Sequence, residues 1–337
     1  MTNTAHGSDA AVDILGVGNA IVDVVARADE TFLAEQDIPK GGMLLIDAAR
    51  SDTLYDAMGP GTESSGGSAA NTIAGAASFG AQTAFIGKVK NDQLGKVFAH
   101  DLKAIGVAFD TPPAEDGPAT ARCLVNVTPD AQRSMCTYLG ACVELGPDDI
   151  DETAVAAAGV TYLEGYLFDP PQAKAAFRKA AEIARAAGRK VSMTLSDSFC
   201  VERHRADFLA FIHEHVDILF ANETEVKALV ETSDFDSAAE ELRRYCAIAA
   251  LTRSEKGSVI LTGEGETVRI DAVAPRQLVD TTGAGDQYAG GFLAGYAAGR
   301  PLAHFGALGA LAASEVISHY GARPETSLKD LAAENGL

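Results

Sequence analysis

Basic residues are scarce in this chain. Lys and Arg total 27 against 47 Asp and Glu, a formal net charge of -20. A surface of that sign repels a phosphate backbone, so nucleic-acid polymer is excluded as an expected partner. A small phosphorylated ligand is not excluded, since its site needs only local N–H groups, a metal or one arginine. Cysteine is sparse as well. Cys123, Cys136, Cys142, Cys200 and Cys246 are five in number, with no C-x-x-C pair among them. That argues against a disulfide framework or a zinc site and for a reducing, cytoplasmic setting. A run of about 18 uninterrupted apolar residues is missing, so no membrane span is expected. The nearest approach, 289–317, is broken by Arg300, His304 and Glu315. The first residues, 1–13, lack a basic segment leading into an apolar one and read as a frayed tail, not a signal peptide.

Two familiar phosphate-binding patterns are also missing. The P-loop, G-x-x-x-x-G-K-[ST], has no match, because Gly87-Lys88 is followed by Val89. The dinucleotide pattern G-x-G-x-x-G needs a third glycine. Gly16-Val17-Gly18 meets Ile21 at that position, and Gly283-Ala284-Gly285 meets Tyr288. P-loop and dinucleotide-oxidoreductase readings are weakened accordingly. His213 and His215 stand two apart, on different faces of any helix, which argues against a metal pair there.

What is present is a balanced α/β composition, 47% hydrophobic and 22% charged over 337 residues. That length and balance allow a large buried core. Apolar runs at 14–17, 21–26, 84–89, 160–163, 191–195, 218–221, 248–252 and 258–261 read as strands. Helical patterns fall at 68–78, 93–104, 172–187, 237–245, 284–298 and 302–319. The alternation predicts a mainly parallel sheet covered by helices. Residues 119–138, with the turn Thr128-Pro129-Asp130, predict a β-hairpin instead. The chain reads as one domain, 1–337, with a small β lid from about 22–47 and 107–142.

The strongest constellation is Asp280-Thr281-Thr282-Gly283-Ala284-Gly285-Asp286. It follows a strand-like stretch at 277–279 and opens an Ala- and Gly-rich helix. A glycine turn at a helix N-terminus presents free N–H groups and partial positive charge, suited to anionic oxygens. Asp286 in the first turn could take a proton from a hydroxyl that attacks a phosphate. The plainer reading is a glycine turn with an acidic residue favouring the helix dipole.

This motif, with Gly290-Gly291-Phe292 after it, resembles the C-terminal motif of the PfkB carbohydrate kinase (ribokinase-like) family. The resemblance covers nearly the whole chain, 14–324, with motifs in the expected order. It implies a three-layer α/β/α fold with a β lid, and ATP and Mg²⁺ as cosubstrate and cofactor. It implies Asp286 as catalytic base and Gly283, Ala284 and Gly285 as anion hole. Gly66-Gly67-Ser68-Ala69-Ala70-Asn71 resembles the N-terminal motif, which implies that Gly66, Gly67 and Asn71 contact the substrate. Gly18-Asn19-Ala20-Ile21-Val22-Asp23 resembles the stretch whose Asp holds sugar hydroxyls, which makes Asp23 and Asn19 candidates. Asn222 and Glu225 match an N-x-x-E motif that organises Mg²⁺ and phosphate; the same residues also read as a capping box. Thr252 and Gly257 match a nucleotide loop in which Ser254 replaces the usual first glycine. Arg133-Ser134 resembles the pair in adenosine kinases whose Arg reaches the transferred phosphate, and a solvated hairpin Arg is the alternative. Asp280 and Thr282 match a loop that supplies ligands to a monovalent cation such as K⁺. Lid strands that pair between subunits would permit a homodimer.

The expected activity is transfer of the ATP γ-phosphoryl to a primary hydroxyl of a nucleoside, in the manner of adenosine kinases. A fructokinase- or ribokinase-like sugar kinase is the alternative, because Leu167 falls where an adenine-stacking aromatic is expected. A catalytically silent sugar- or nucleoside-binding module is the alternative of another class.

Overall fold

The structure is a computed structural model and describes residues 10–130 and 132–337. Of the polar tail read at 1–13, residues 1–9 lie outside the described ones. Among the described residues the strands form two sheets, of nine and five strands. The larger runs, in spatial order, Thr267–Ile270, Ser258–Thr262, Ile248–Thr252, Ile218–Asn222, Lys190–Thr194, Ala158–Glu164, Val12–Val17, Thr83–Ile86 and Val107–Ala108. Pairing is parallel from Ile248–Thr252 to Val107–Ala108, and the remaining two strands add antiparallel pairs at one edge.

Both faces of this sheet are covered, as its near-continuous apolar strands require. Successive residues point to opposite faces. Leu15 and Val17 join a core with Phe177 and Phe208, under the helices Pro171–Ala186 and Ser198–His215. Ile14 joins a second core with Ile73 and Phe292, under Ser68–Ser78 and Ala284–Ala297. The result is the three-layer α/β/α arrangement.

The smaller sheet runs Met43–Leu45, Arg133–Tyr138, Ala121–Val127, Ile21–Arg27 and Gly61–Gly66. The hairpin expected at 119–138 is present, with Val127 opposite Arg133 and Arg122 opposite Tyr138. Gly61–Gly66, with little β-branched or aromatic content, was not assigned from sequence. It becomes a strand by pairing antiparallel to Ile21–Arg27.

Two more local readings change. The strand expected at 277–279 is irregular backbone: Val279 N–H donates to the Ile317 carbonyl (2.9 Å), so the segment binds a helix end, not a sheet. Ser198–His215 is an 18-residue helix that sequence periodicity did not reveal; its backbone leaves helical geometry at His204. Part of the acidic surplus has a local use. Asp29, Asp47, Asp92, Asp151, Asp197 and Asp234 each accept a backbone N–H at the start of a helix. Among the described residues no helix is long and apolar enough to cross a membrane.

Candidate active site

From Val12–Val17 the chain builds the sheet outward through Thr83–Ile86 on one side, then returns to build the other side from Ala158–Glu164. In such sheets ligands bind outside the carboxyl ends of the strands, at the point where the order reverses. Asn19 and Glu164 lie at that point, just beyond Val17 and at the end of its neighbour.

Two helices open here on glycine. Gly67 (φ 95°) and Gly283 (φ 78°) are their N-caps, in conformations that other residues rarely adopt, and neither supplies a side-chain cap. The first is capped from a distance: Glu164 Oε2 accepts the Ala69 N–H at 2.8 Å. Among the described residues Ala284–Ala297 has no such side-chain cap; Ala284 N–H donates to the Thr281 carbonyl at 3.3 Å, which leaves the N–H groups of Gly285 and Asp286 suited to an anion. A Cβ placed on Gly285 would meet nothing within 4 Å. The space above this turn suits phosphoryl oxygens.

Asp286 sits in that turn. Its Oδ1 accepts from Ser68 Oγ at 2.6 Å and its Oδ2 from Asn71 Nδ2 at 3.2 Å. Burial raises its carboxyl above the usual range, while the two hydrogen bonds and Arg323 pull it down. A carboxylate so poised is a better proton acceptor than a fully solvated one.

Asp23 projects from Ile21–Arg27 over Gly66. A Cβ on Gly66 would fall 2.4 Å from Asp23 Oδ2, and one on Gly67 would fall 2.2 Å from the Asn19 carbonyl oxygen. The glycine pair therefore admits Asp23 and the Asn19 backbone, which serves the pocket from behind. Burial lifts Asp23 to about 6, against the pull of Arg133 and Arg323. Asn19 Nδ2 donates to Glu164 Oε1 at 2.5 Å, while its Oδ1 is buried without a partner among the described residues.

Arg133 begins the second strand of the hairpin and is ion-paired to Asp280, with side chains only 8% and 6% exposed. Asp280 Oδ1 also accepts from Thr282 N (3.0 Å) and Thr282 Oγ1 (2.8 Å), and Oδ2 accepts from Gly321 N (3.2 Å). Here the arginine ties the smaller sheet to the loop that opens Ala284–Ala297. Asn222 and Glu225 form the reciprocal box, with Glu225 N to Asn222 Oδ1 and Asn222 N to Glu225 Oε2 both 2.9 Å. Burial lifts Glu225 to about 7, with Asp197 and Asp286 adding to the effect. Thr252 pairs with Asn222 across the strands. Thr252 and Gly257 bound a turn to one side of the cluster, without a hydrogen bond to it among those described. Ser254 there takes φ 51°, the left-handed conformation that a glycine would favour. Among the described residues no group of three or more His, Cys, Asp or Glu side chains could hold a metal ion.

Four residues of this cluster were not assigned from sequence. Ser68 lies inside the motif Gly66 to Asn71. Glu164, Gln287 and Arg323 lay outside the assigned positions. Gln287 Nε2 donates to the Asn71 and Ala322 carbonyls, both at 2.9 Å, and ties the two glycine-led helices to the 321–324 loop.

These features converge on one class, an ATP-dependent small-molecule kinase built on the ribokinase-like α/β fold. The chain belongs to the pfkB family of carbohydrate kinases, whose profile matches residues 37–328. It is similar to the crystal structure of adenosine kinase from Sinorhizobium meliloti, at 55% identity and a TM-score of 0.89, covering 96% of this chain and 99% of that one. It is also similar to a probable sugar kinase protein from Rhizobium etli CFN 42, at 52% identity and a TM-score of 0.90, covering 97% and 99%. A cytidine kinase of Thermococcus kodakarensis is 28% identical over 83% of this chain and 97% of its own.

Proposed function

We propose that the protein transfers the γ-phosphoryl of Mg·ATP to the primary hydroxymethyl group of a nucleoside, adenosine foremost, with Asp286 as the base. The observation that carries this reading is Asp286 itself. It is oriented by Ser68 and Asn71 and stands in the first turn of a helix whose N-terminus no side chain caps. Asp286 accepts the proton as the hydroxyl attacks. The N–H groups of Gly285 and Asp286 receive the charge that develops on the transferred phosphoryl. Asp23 accepts from the ribose hydroxyls, one carboxylate serving a vicinal pair. Asn19, Gly66, Gly67 and Asn71 shape the acceptor pocket. Glu225 and Asn222 order water around Mg²⁺, and Thr252 and Gly257 flank the nucleotide. The five-stranded sheet acts as a lid that excludes water, and Arg133 leaves Asp280 to meet the phosphate. A monovalent cation at Asp280 and Thr282 would share a carboxylate already engaged by Arg133. The 55% identity to an adenosine kinase over nearly the full length supports the nucleoside. The sugar-kinase reading is supported by Leu167, which is buried where an adenine-stacking ring was expected.

ADP release with Mg·ATP, measured against adenosine, other nucleosides, ribose and fructose, decides the acceptor. Asp286→Asn is expected to lose about 10²–10⁴-fold in kcat while nucleotide binding persists. Unchanged turnover would remove Asp286 from the base role. A chain that binds nucleoside but phosphorylates nothing in the panel would be a binding module.

A further inference from the structure

Arg323 belongs to none of the motifs read from sequence. The loop that carries it is pinned just before Arg323: Gly321 N–H donates to Asp280 Oδ2 and the Ala322 carbonyl accepts from Gln287. Arg323 Nε then donates to Asn71 Oδ1 at 2.8 Å, and its Nη2 is shielded from solvent without a partner among the described residues. This contact decides how Asn71 is used. An amide has one accepting and one donating end, and a guanidinium only donates. With Oδ1 taken by Arg323, Asn71 must present Nδ2 to Asp286, as it does at 3.2 Å. A flipped amide would set a donor against Arg323 and an acceptor against the Asp286 carboxylate.

We propose that Arg323 is a positioning residue for the phosphoryl transfer: it locks the Asn71 amide so that Asp286 is held oriented and ionised, and it balances the two carboxylates, Asp23 and Asp286, that share the pocket. The inference rests on Asp286 being the base.

Glu164 and Glu225, each lifted to about 7, titrate in the same window, so the test reads the displacement of the acid limb between variants. Arg133 and Arg323 are the cations that bear on Asp23, and Arg323 bears on Asp286. Asp101, from Gln93–Ala104, acts on Arg323; Glu164, at the end of Ala158–Glu164, and Glu225, in the first turn of Glu223–Val230, interact with Asp286. Cys123, Tyr162 and Tyr166 are pushed up by burial and stay neutral through the working range. Arg323 itself is lowered to about 10 by burial and keeps its charge near neutrality. Removing that charge raises both carboxyl groups, so the acid limb moves to higher pH.

The test compares the parent, Arg323→Gln and Arg323→Lys, using the acceptor that turns over in the panel, adenosine in the first instance. Initial rates from pH 5 to 9 are read beside thermal midpoints. Arg323→Gln should lose about 10–100-fold in kcat and shift the acid limb of kcat/KM upward by about one unit, with KM for ATP within about twofold. Arg323→Lys should restore the limb but only part of kcat, because an ammonium lacks the planar fork that holds the amide. A limb at the parent position in an Arg323→Gln that melts like the parent overturns the proposal. So does a loss confined to KM for ATP. Should Arg323→Gln fail to fold, Arg323→Lys with undiminished kcat overturns it equally. An inactive Asp286→Asn beside an unmoved Arg323→Gln limb would sink this inference and leave the base standing.

Discussion

At pH 8 the Glu164 carboxyl has to ionise where solvent scarcely reaches it, 1% exposed. Burial lifts it to about 7, despite the hydrogen bonds from Ala69 N–H and Asn19. The folded chain therefore holds this proton more tightly than the unfolded chain. Its favourable contribution is complete below the ordinary glutamate range and is lost as pH rises through about 7. Glu164→Gln should flatten the fall of thermal midpoint between pH 5 and 8, and stabilise the protein at pH 8 by on the order of 1 kcal/mol. Asn19 makes the exchange tolerable. Its unpartnered Oδ1 can turn to accept from the new amide while the Ala69 N–H keeps its oxygen. Thermal melts across a pH series check this, and parallel slopes for the two proteins would clear Glu164 of the titration. Such residues were hard to read from sequence. Asp286, Asn71 and Asp23 sit in motifs of several adjacent residues. Glu164 and Arg323 act through partners 145 and 252 positions away, a juxtaposition that only the completed fold creates. Ser254 is the converse case, where an absent glycine left the backbone conformation intact.

The helix Ala284–Ala297 is held between two others at backbone distance. A Cβ on Gly290 would lie 2.6 Å from the Thr72 carbonyl oxygen, and one on Gly291 would lie 2.6 Å from that of Leu308. From the facing helix, a Cβ on Gly309 would lie 2.7 Å from the Tyr288 carbonyl oxygen. Glycine costs a helix interior about 1 kcal/mol relative to alanine, and here that cost allows a crossing no larger residue permits. Gly291→Ala should therefore destabilise by about 1–3 kcal/mol despite its better propensity. Gly285→Ala, with open space above it, should melt like the parent yet lose activity through KM for ATP and kcat. Melting curves paired with ATP kinetics on the two variants check the contrast. Matching melts would mean that the helices can part without loss. The elements themselves were mostly legible, because buried parallel strands and small-residue helices leave strong patterns. Ser198–His215 escaped because its apolar residues do not follow one even stripe and its geometry breaks at His204. Gly61–Gly66 escaped because its strand character comes from its partner, not its own residues.

Across the whole molecule, the charge of -20 sets the terms on which a nucleotide arrives. The helix-capping Asp29, Asp47, Asp151 and Asp234 place part of that charge at the surface, while Arg323 beside the candidate base and Arg133 beside Asp23 are drawn inward. An incoming Mg·ATP, itself anionic, is repelled at long range and held only at short range by N–H groups and these arginines. Screening should therefore help it. The Debye length falls from about 30 Å at 0.01 M salt to about 8 Å at 0.15 M, which removes the far field and spares the contacts. Over that interval kcat/KM for Mg·ATP should rise roughly two- to fivefold, whereas kcat/KM for adenosine at saturating ATP should stay level, because a nucleoside carries no charge. A phosphorylated acceptor would show the same salt dependence as ATP, so the measurement also sorts acceptor classes. A fall in kcat/KM for ATP with salt would mean that a local positive field around the site outweighs the surface, and would return the arginines to first place in nucleotide capture.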